Sequence, residues 1–314
     1  MKTNAALTDI AVVRKELLDR AADRTMVCSI KLWRPVFDLT LDWGVIMLAS
    51  LGAYHLGLPF YLLALGIVGN RQRALGNLLH EAGHRNLYRS RVLNDSLAAT
   101  FLAPALAANL HLYRVSHSQH HTMLGVPGQD PDYIAPDSAA RGAWLGVYVR
   151  QLFARANWLG SVLGQMTDRR LAWHGYVRIG VWWMALLAVL TLLEGPSFAI
   201  FFTILWLAAK ATVFHAITTF REMCDHFGLQ PGGIYSFTRD AVIGRCWHWV
   251  IHPHNNGYHL SHHMMPSVPY YKLPSAQKML AGLPSYAEKA VVCDSYFFGN
   301  KAVVRDGSRL SRFN

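Results

Sequence analysis

VFDLTLDWGVIMLASLGAYHLGLPFYLLALGIVGN, running from Val36 to Asn70, contains no Lys or Arg, although the chain carries 30 of them among its 314 residues. A helix needs roughly 20 apolar residues to cross a bilayer, so the stretch is too long for one span. Gly57 and Pro59 near its middle are residues that end helices. It therefore reads as a hairpin, with Val36 to Leu56 going out and Leu58 to Leu79 returning. GVWWMALLAVLTLLEGPSFAIFFTILWLAA, Gly180 to Ala209, is also free of Lys and Arg. There His174 to Leu193 goes out and Ser197 to Phe220 returns, turning at Glu194, Gly195 and Pro196. Neither turn holds a basic residue, whereas the amino terminus, the middle segment and the carboxyl tail hold nearly all of them, and basic segments stay on the cytoplasmic side. The prediction is an all-α integral membrane protein of two transmembrane helical hairpins, about four spanning helices, with both termini and a helical cap in the cytoplasm.

The rest of the chain fits one membrane domain over 1–314: an interfacial helix over 1–34, a membrane and catalytic core over 35–281 and a cytoplasmic tail over 282–314. Composition agrees, with 52% hydrophobic residues and a mean hydropathy of +0.17. Membrane orientation and attraction to anionic lipid account for the net charge of +11, so no nucleic-acid partner is expected. Cys28, Cys224, Cys246 and Cys293 have no CxxC spacing and read as ordinary buried thiols. The amino terminus mixes charges and lacks an apolar core, so it is not read as a signal peptide. Ile10, Val13, Leu17 and Leu18 would form one face of a helix lying on the membrane. Leu97 to Leu112 is apolar but short and holds Pro104, which favours a re-entrant or interfacial helix. Thr122 to Asp137, with GVPGQDPDY, reads as a cytoplasmic loop.

Chemistry enters with the histidines, 16 in all. His80 and His84 are four apart in HEAGH; His117, His120 and His121 form HSQHH; His259, His262 and His263 form HLSHH. On a helix, spacings of three and four put side chains on one face, where several imidazoles can meet a metal. Random placement at this histidine frequency gives an HxxHH triplet only ~0.04 times per chain, so two triplets are a signal rather than an accident. All eight sit at predicted cytoplasmic ends of the hairpins. Eight imidazoles exceed what one ion uses, since zinc takes about four ligands. Two metals are implied. Imidazole suits zinc, copper, iron and nickel alike, so ligand type leaves the metal open.

HEAGH also matches HExxH, in which two histidines bind zinc and the glutamate activates water. An intramembrane zinc protease is therefore the rival reading from another reaction class. It would leave both HxxHH triplets without a role.

With these three boxes on a two-hairpin scaffold, the sequence resembles the membrane fatty-acid desaturase and hydroxylase superfamily over about Pro35 to Ala281. The third box runs on into MMPSVPYYKLP, similar to the proline- and tyrosine-containing run that follows it in the family. The resemblance implies two iron ions held by His80, His84, His117, His120, His121, His259, His262 and His263. It implies His226, in REMCDHFG, as a further ligand, and Asn255 or Asn256 as holder of a metal-bound water. It also implies O2 as co-substrate and two electrons from a separate ferredoxin-, rubredoxin- or cytochrome-type protein. The reaction would be desaturation of an acyl chain, on a lipid or a carrier, with hydroxylation of an aliphatic substrate as the alternative on the same scaffold. Three residues separate the histidines of the first box, where acyl-CoA desaturases typically have four. Ser261 stands where many members have Glu. No HPGG haem motif occurs, so no fused cytochrome b5 domain is expected.

Other polar residues fall in apolar surroundings. Lys210, inside the fourth predicted span, should snorkel or pair within the bundle, since a charge at the bilayer centre is costly. Asp38 and Asp42 pose the same question. Arg71 and Arg73 suggest that the second helix projects beyond the bilayer. Trp182, Trp183 and Trp206 read as anchors or packing. Arg85, Arg89, Arg91 and Arg114 lie near the boxes, where they could meet an acidic carrier or a phosphate, or simply be positive-inside charges. His252 and His254 could orient ligands or serve structure.

Overall fold

The computed structural model describes residues 5–20, 24–133 and 144–305. In chain order the helices are α1 (Ala5–Asp19), α2 (Arg24–Cys28), α3 (Arg34–Leu56), α4 (Leu58–Gly83), α5 (Arg91–Phe101), α6 (Leu110–Thr122), α7 (Trp144–Phe153) and α8 (Arg155–Leu163). They continue with α9 (Trp173–Glu194), α10 (Pro196–Ala209), α11 (His215–His226), α12 (Ile234–Phe237), α13 (Arg245–Ile251), α14 (His259–Met264), α15 (Leu273–Ala281) and α16 (Pro284–Lys289). A π-helical segment, Lys210–Phe214, joins α10 to α11. Among the described residues, strand is confined to two-residue β1 (Asp240–Ala241) and β2 (Val292–Cys293), paired in parallel. The chain divides into two compact units. A hairpin unit comprises Lys31–Tyr113 and Leu152–Thr218; a histidine-rich unit comprises Met1–Ile30, Arg114–Gln151 and Thr219–Asn314.

In the hairpin unit, the predicted turns stand at single glycines. Gly57 ends α3 at φ 85° and Gly195 ends α9 at φ 88°, a backbone region that residues with a Cβ avoid. Pro59 and Pro196 sit just inside the helices that follow, where a missing N–H costs nothing. His55 and Glu194 approach to 3.7 Å, so both turns lie at the same end of this unit. Trp43 of α3 stacks on Trp206 of α10 with ring centroids 5.4 Å apart and meets Trp182 of α9 at 5.9 Å. Trp206 is thus core rather than a membrane anchor.

Among the described residues, three helices are long and apolar enough to cross a membrane: Arg34–Leu56, Trp173–Glu194 and the continuous Pro196–His226. The hairpin pattern predicts about four. The remaining one, α4, is 26 residues long, but its second half holds Asn70, Arg71, Arg73, Asn77, His80 and Glu81. These polar groups are accommodated inside the protein. Arg71 is buried and binds Asp42 of α3 at 2.9 Å, and Arg73 is buried beside Asn77. Both arginines are thus covered by protein, and α3 supplies the counter-charge to Arg71. Asp38 is paired with Arg34 at 2.7 Å. Lys210 does pair within the bundle, donating to the Leu106 carbonyl at 2.7 Å.

That carbonyl lies in a non-helical turn between α5 and α6. The apolar run from Leu97 to Leu112 is thus not one re-entrant helix: it breaks around Pro104, and Leu102, Ala103, Ala105 and Leu106 are buried in protein.

In the histidine-rich unit, α1 also departs from expectation. Val13 and Leu17 are buried in a core with Ile234, Phe237, Leu260, Met264 and Leu280, while Leu18 is 69% exposed. The face expected on a membrane is mostly turned into protein, and the helix ends at Asp19 rather than reaching Arg34. Residues 1–4 and 21–23 of that segment, residues 134–137 of the expected loop and residues 306–314 of the tail lie outside the described residues. The four cysteines are free thiols, but Cys246 is exposed rather than buried.

Candidate metal centre

Each box is placed by a helix end. HEAGH closes α4, with His84 as its C-cap, and the His80 and His84 rings lie 5.0 Å apart in the hairpin unit. HSQHH forms the last turns of α6 and HLSHH makes up most of the short helix α14. His226 is the last residue of α11.

Within the histidine-rich unit, seven of the nine predicted histidines gather into two sets. His120, His226, His259 and His263 are all buried and offer nitrogens within 4.8 Å of one another. The Nε2 atoms of His259 and His226 are 2.9 Å apart, and those of His263 and His259 3.1 Å. The second set is His117, His121 and His262, with Nε2 separations of 3.1 and 3.2 Å. The sets are adjacent, since the His121 and His263 rings stack with centroids 4.1 Å apart.

The opposite ring nitrogens decide what these Nε2 atoms can do. His226 Nδ1 lies 2.9 Å from the Phe237 carbonyl, which can only accept, so Nδ1 carries the proton and Nε2 a lone pair. His120 Nδ1 likewise donates to Asp130 Oδ1 at 2.8 Å. Burial pushes His259 and His263 well below the ordinary imidazole pKa, and neighbouring histidines push both further, with Arg221 adding to the effect on His259. Both therefore stay neutral. Lone pairs that converge without a proton between them repel unless a cation lies among them. Two nitrogens each about 2.1 Å from one ion, at right angles, are about 3.0 Å apart, close to the spacings found. The residues fit a metal.

Carboxylates behind the ring nitrogens complete the arrangement, and sequence reasoning missed them. Asp130 lies in the GVPGQDPDY segment, read only as a loop. Burial disfavours its charge, but the His120 bond and the N–H groups of Gly125 and Asp132 hold its pKa below the usual carboxylate value. Burial also opposes charge on His120, yet Asp132 and Asp130 raise its pKa. Asp225, next to His226, approaches His259 Nδ1 at 3.6 Å and is held by Arg221 at 3.2 Å. Such outer partners fix the orientation and basicity of ligating imidazoles. Asp130 lies ten residues after His120, but Asp225 is far from every box, so no spacing in the sequence marks the pair.

Glu81 is 3.2 Å from His80 Nδ1 and accepts from the Asn86 amide at 3.3 Å. Both of its carboxylate oxygens are engaged by neighbouring side chains. Asn255 donates to the Tyr270 carbonyl at 3.2 Å and Asn256 accepts from Arg221 at 2.8 Å.

A model of the family described as fatty acid desaturase matches residues 33–294, which covers all three boxes and His226. The chain belongs to the fatty acid desaturase family. Similar desaturases of this kind include the dihydrorhizobitoxine desaturase of Bradyrhizobium elkanii, 26% identical over 277 residues, 79% of this chain and 76% of that one. Another is the Delta(5) fatty acid desaturase fat-4 of Caenorhabditis elegans, 23% identical over 283 residues, 78% of this chain and 62% of that one. The sn-1 oleoyl-lipid 12-desaturase of Anabaena variabilis matches over 127 residues at 26% identity, 37% of this chain and 35% of that one. Family membership makes the chain an oxidoreductase of lipid-related, membrane-associated metabolism, and the histidine sets are what such a protein needs to bind metal.

Proposed function

We propose that this chain is an O2-dependent, non-haem di-iron desaturase that introduces a C=C bond into an acyl chain carried by a lipid or a carrier. The observation that carries the reading is the buried set His120, His226, His259 and His263, whose ring nitrogens converge to within 4.8 Å of one another. His117, His121 and His262 form the companion set, and the three-box resemblance adds His80 and His84 as the remaining ligands. Bound there, two iron ions would supply activation of O2 and removal of hydrogen from unactivated C–H bonds. For each double bond, O2, two electrons and two protons are consumed and two waters leave, so an external one-electron carrier is a required partner.

The protein's own part is to hold and to exclude. Phe237 and Asp130 keep two imidazoles in one tautomer, and the burial of all four rings keeps bulk water from the oxidising site. Two relatives are named for fatty-acid or oleoyl-lipid substrates and one for dihydrorhizobitoxine, so desaturation is the shared element and an acyl chain the majority one. We further infer that α4 is a fourth span, since 26 residues at about 1.5 Å each exceed the ~30 Å bilayer core. On that topology both termini and the histidines face the cytoplasm, supported by basic-free turns at one end of the hairpin unit.

Mass spectrometry of lipids and metabolites from cells with and without the gene tests the reaction. A product 2 Da lighter than its precursor is expected; a product 16 Da heavier would mean hydroxylation instead. His120→Ala and His262→Ala should each abolish the shift and lower iron content. If both variants kept wild-type iron and turnover, the metal assignment would fall.

A further inference from the structure

The buried histidine set is connected to the protein surface by a line of polar and aromatic side chains, of which only the first member belongs to the set. His259 turns Nε2 into the set and Nδ1 toward Asp225 Oδ2 at 3.6 Å. The other carboxylate oxygen, Oδ1, lies 3.4 Å from His252 Nε2. His252 Nδ1 is 2.5 Å from the Tyr296 hydroxyl, and the two rings stack with centroids 5.6 Å and planes 18° apart. Tyr296 meets Trp247 at 6.4 Å. Asp225, His252 and Tyr296 are 2%, 0% and 1% exposed, whereas Trp247 is 52% exposed. Taking a carboxylate and an imidazole out of water costs several kcal/mol unless they are well paired. Orienting His259 needs Asp225 alone. Neither His252 nor Tyr296 is needed for that task, yet both continue the line outward.

We propose that Trp247, Tyr296, His252, Asp225 and His259 form the route by which single electrons from an external carrier protein reach the metal centre. The inference rests on the di-iron reading above. Electronic coupling falls steeply with distance, and every polar step from His259 to Tyr296 is 3.6 Å or shorter, while a buried path keeps solvent reorganisation small. In each step the carrier loses one electron and a metal ion gains one. No residue of the route is oxidised and no bond in the protein breaks. Two such steps supply the two electrons of one desaturation.

The test uses the full-length, iron-loaded protein in lipid nanodiscs, oxidised and then mixed anaerobically with a reduced [2Fe–2S] ferredoxin. The rate at which the ferric absorbance disappears is recorded alongside iron content and thermal midpoint. Tyr296→Phe, which keeps the ring and removes the hydroxyl, should slow reduction about tenfold or more at unchanged iron content. Trp247→Leu should also slow it, at an unchanged thermal midpoint because the side chain is half exposed. Trp249→Leu, on the same helix and 57% exposed but outside the line, should reduce at the parental rate. Parental rates in both Tyr296→Phe and Trp247→Leu would overturn the route. So would slowing that merely tracks iron loss, because the line would then only position His259. A parent protein that binds no iron would remove the di-iron reading itself.

Discussion

Ser261 stands inside HLSHH, and its bonds show what anchors that box. Its N–H donates to Asp240 Oδ1 at 2.9 Å and its hydroxyl to Oδ2 at 2.5 Å, and the Tyr286 hydroxyl also donates to Oδ2 at 2.6 Å. Burial pushes Asp240 up to about 6 even though these donors favour its charge. The short helix α14 is therefore anchored by a carboxylate from elsewhere in the chain. Ser261→Ala should leave the buried carboxylate short of a donor and cost about 1–3 kcal/mol, read as a lower thermal midpoint of the detergent-purified protein. Asp130→Asn should leave the fold intact but weaken metal binding about 10- to 100-fold, because His120 loses a charged partner. Chelator competition measures this. Spacing singles out the six histidines of the two HxxHH triplets in the sequence, position adds His80 and His84, and resemblance adds His226. Asp130, Asp225 and Asp240 are not legible there, because a lone carboxylate has no pattern and its partner is chosen by the fold.

At the scale of elements, two glycines of the hairpin unit matter for different reasons. Gly57 has open space where a Cβ would go, but its φ of 85° and ψ of −163° are strained for any other residue. Gly57→Ala should cost about 1–3 kcal/mol through conformation alone. Gly69 is the reverse case: a Cβ there would lie 2.6 Å from the Val213 Cβ, on the π-helical segment. Gly69→Ala should destabilise by forcing that segment from α4; Val213→Ala removes the Cγ1 at 2.8 Å but keeps the Cβ, so it should restore only a minor part of the loss. Gly57→Ala should gain nothing from Val213→Ala, and thermal midpoints of the single and paired variants separate the two causes. The hairpin turns are readable because glycine and proline interrupt basic-free apolar runs. The π segment leaves no such mark in composition, and the Gly69 that its Val213 approaches looks in sequence like any other helix glycine. The inward face of α1 is misread from sequence because an apolar stripe looks the same whether lipid or protein covers it.

For the whole molecule, the proposed topology predicts which positions chemical reagents reach. Leu58 and Leu193 flank the two turns and are 77% and 72% exposed, and Cys246 is an exposed native thiol. Single cysteines at Leu58 or Leu193, with Cys246 replaced by serine, should react with a membrane-impermeant maleimide on intact cells. Native Cys246 should react only after lysis. The opposite pattern would reverse the orientation. Charge distribution is what suggests this orientation, whereas α4 falls short of a span by composition because its second half carries polar groups such as Arg71, which is paired with Asp42.

The histidine-rich unit is assembled from the first 30 residues, a central segment and everything after residue 218. During synthesis, His120 and His226 leave the ribosome well before His259 and His263, and α1 waits for α12, α14 and α16 before its apolar face is covered. The metal set therefore cannot close on a nascent chain. On the proposed reading, metal loading belongs to the finished protein, and a ribosome stalled before residue 259 would leave a product that lacks His259, His262 and His263.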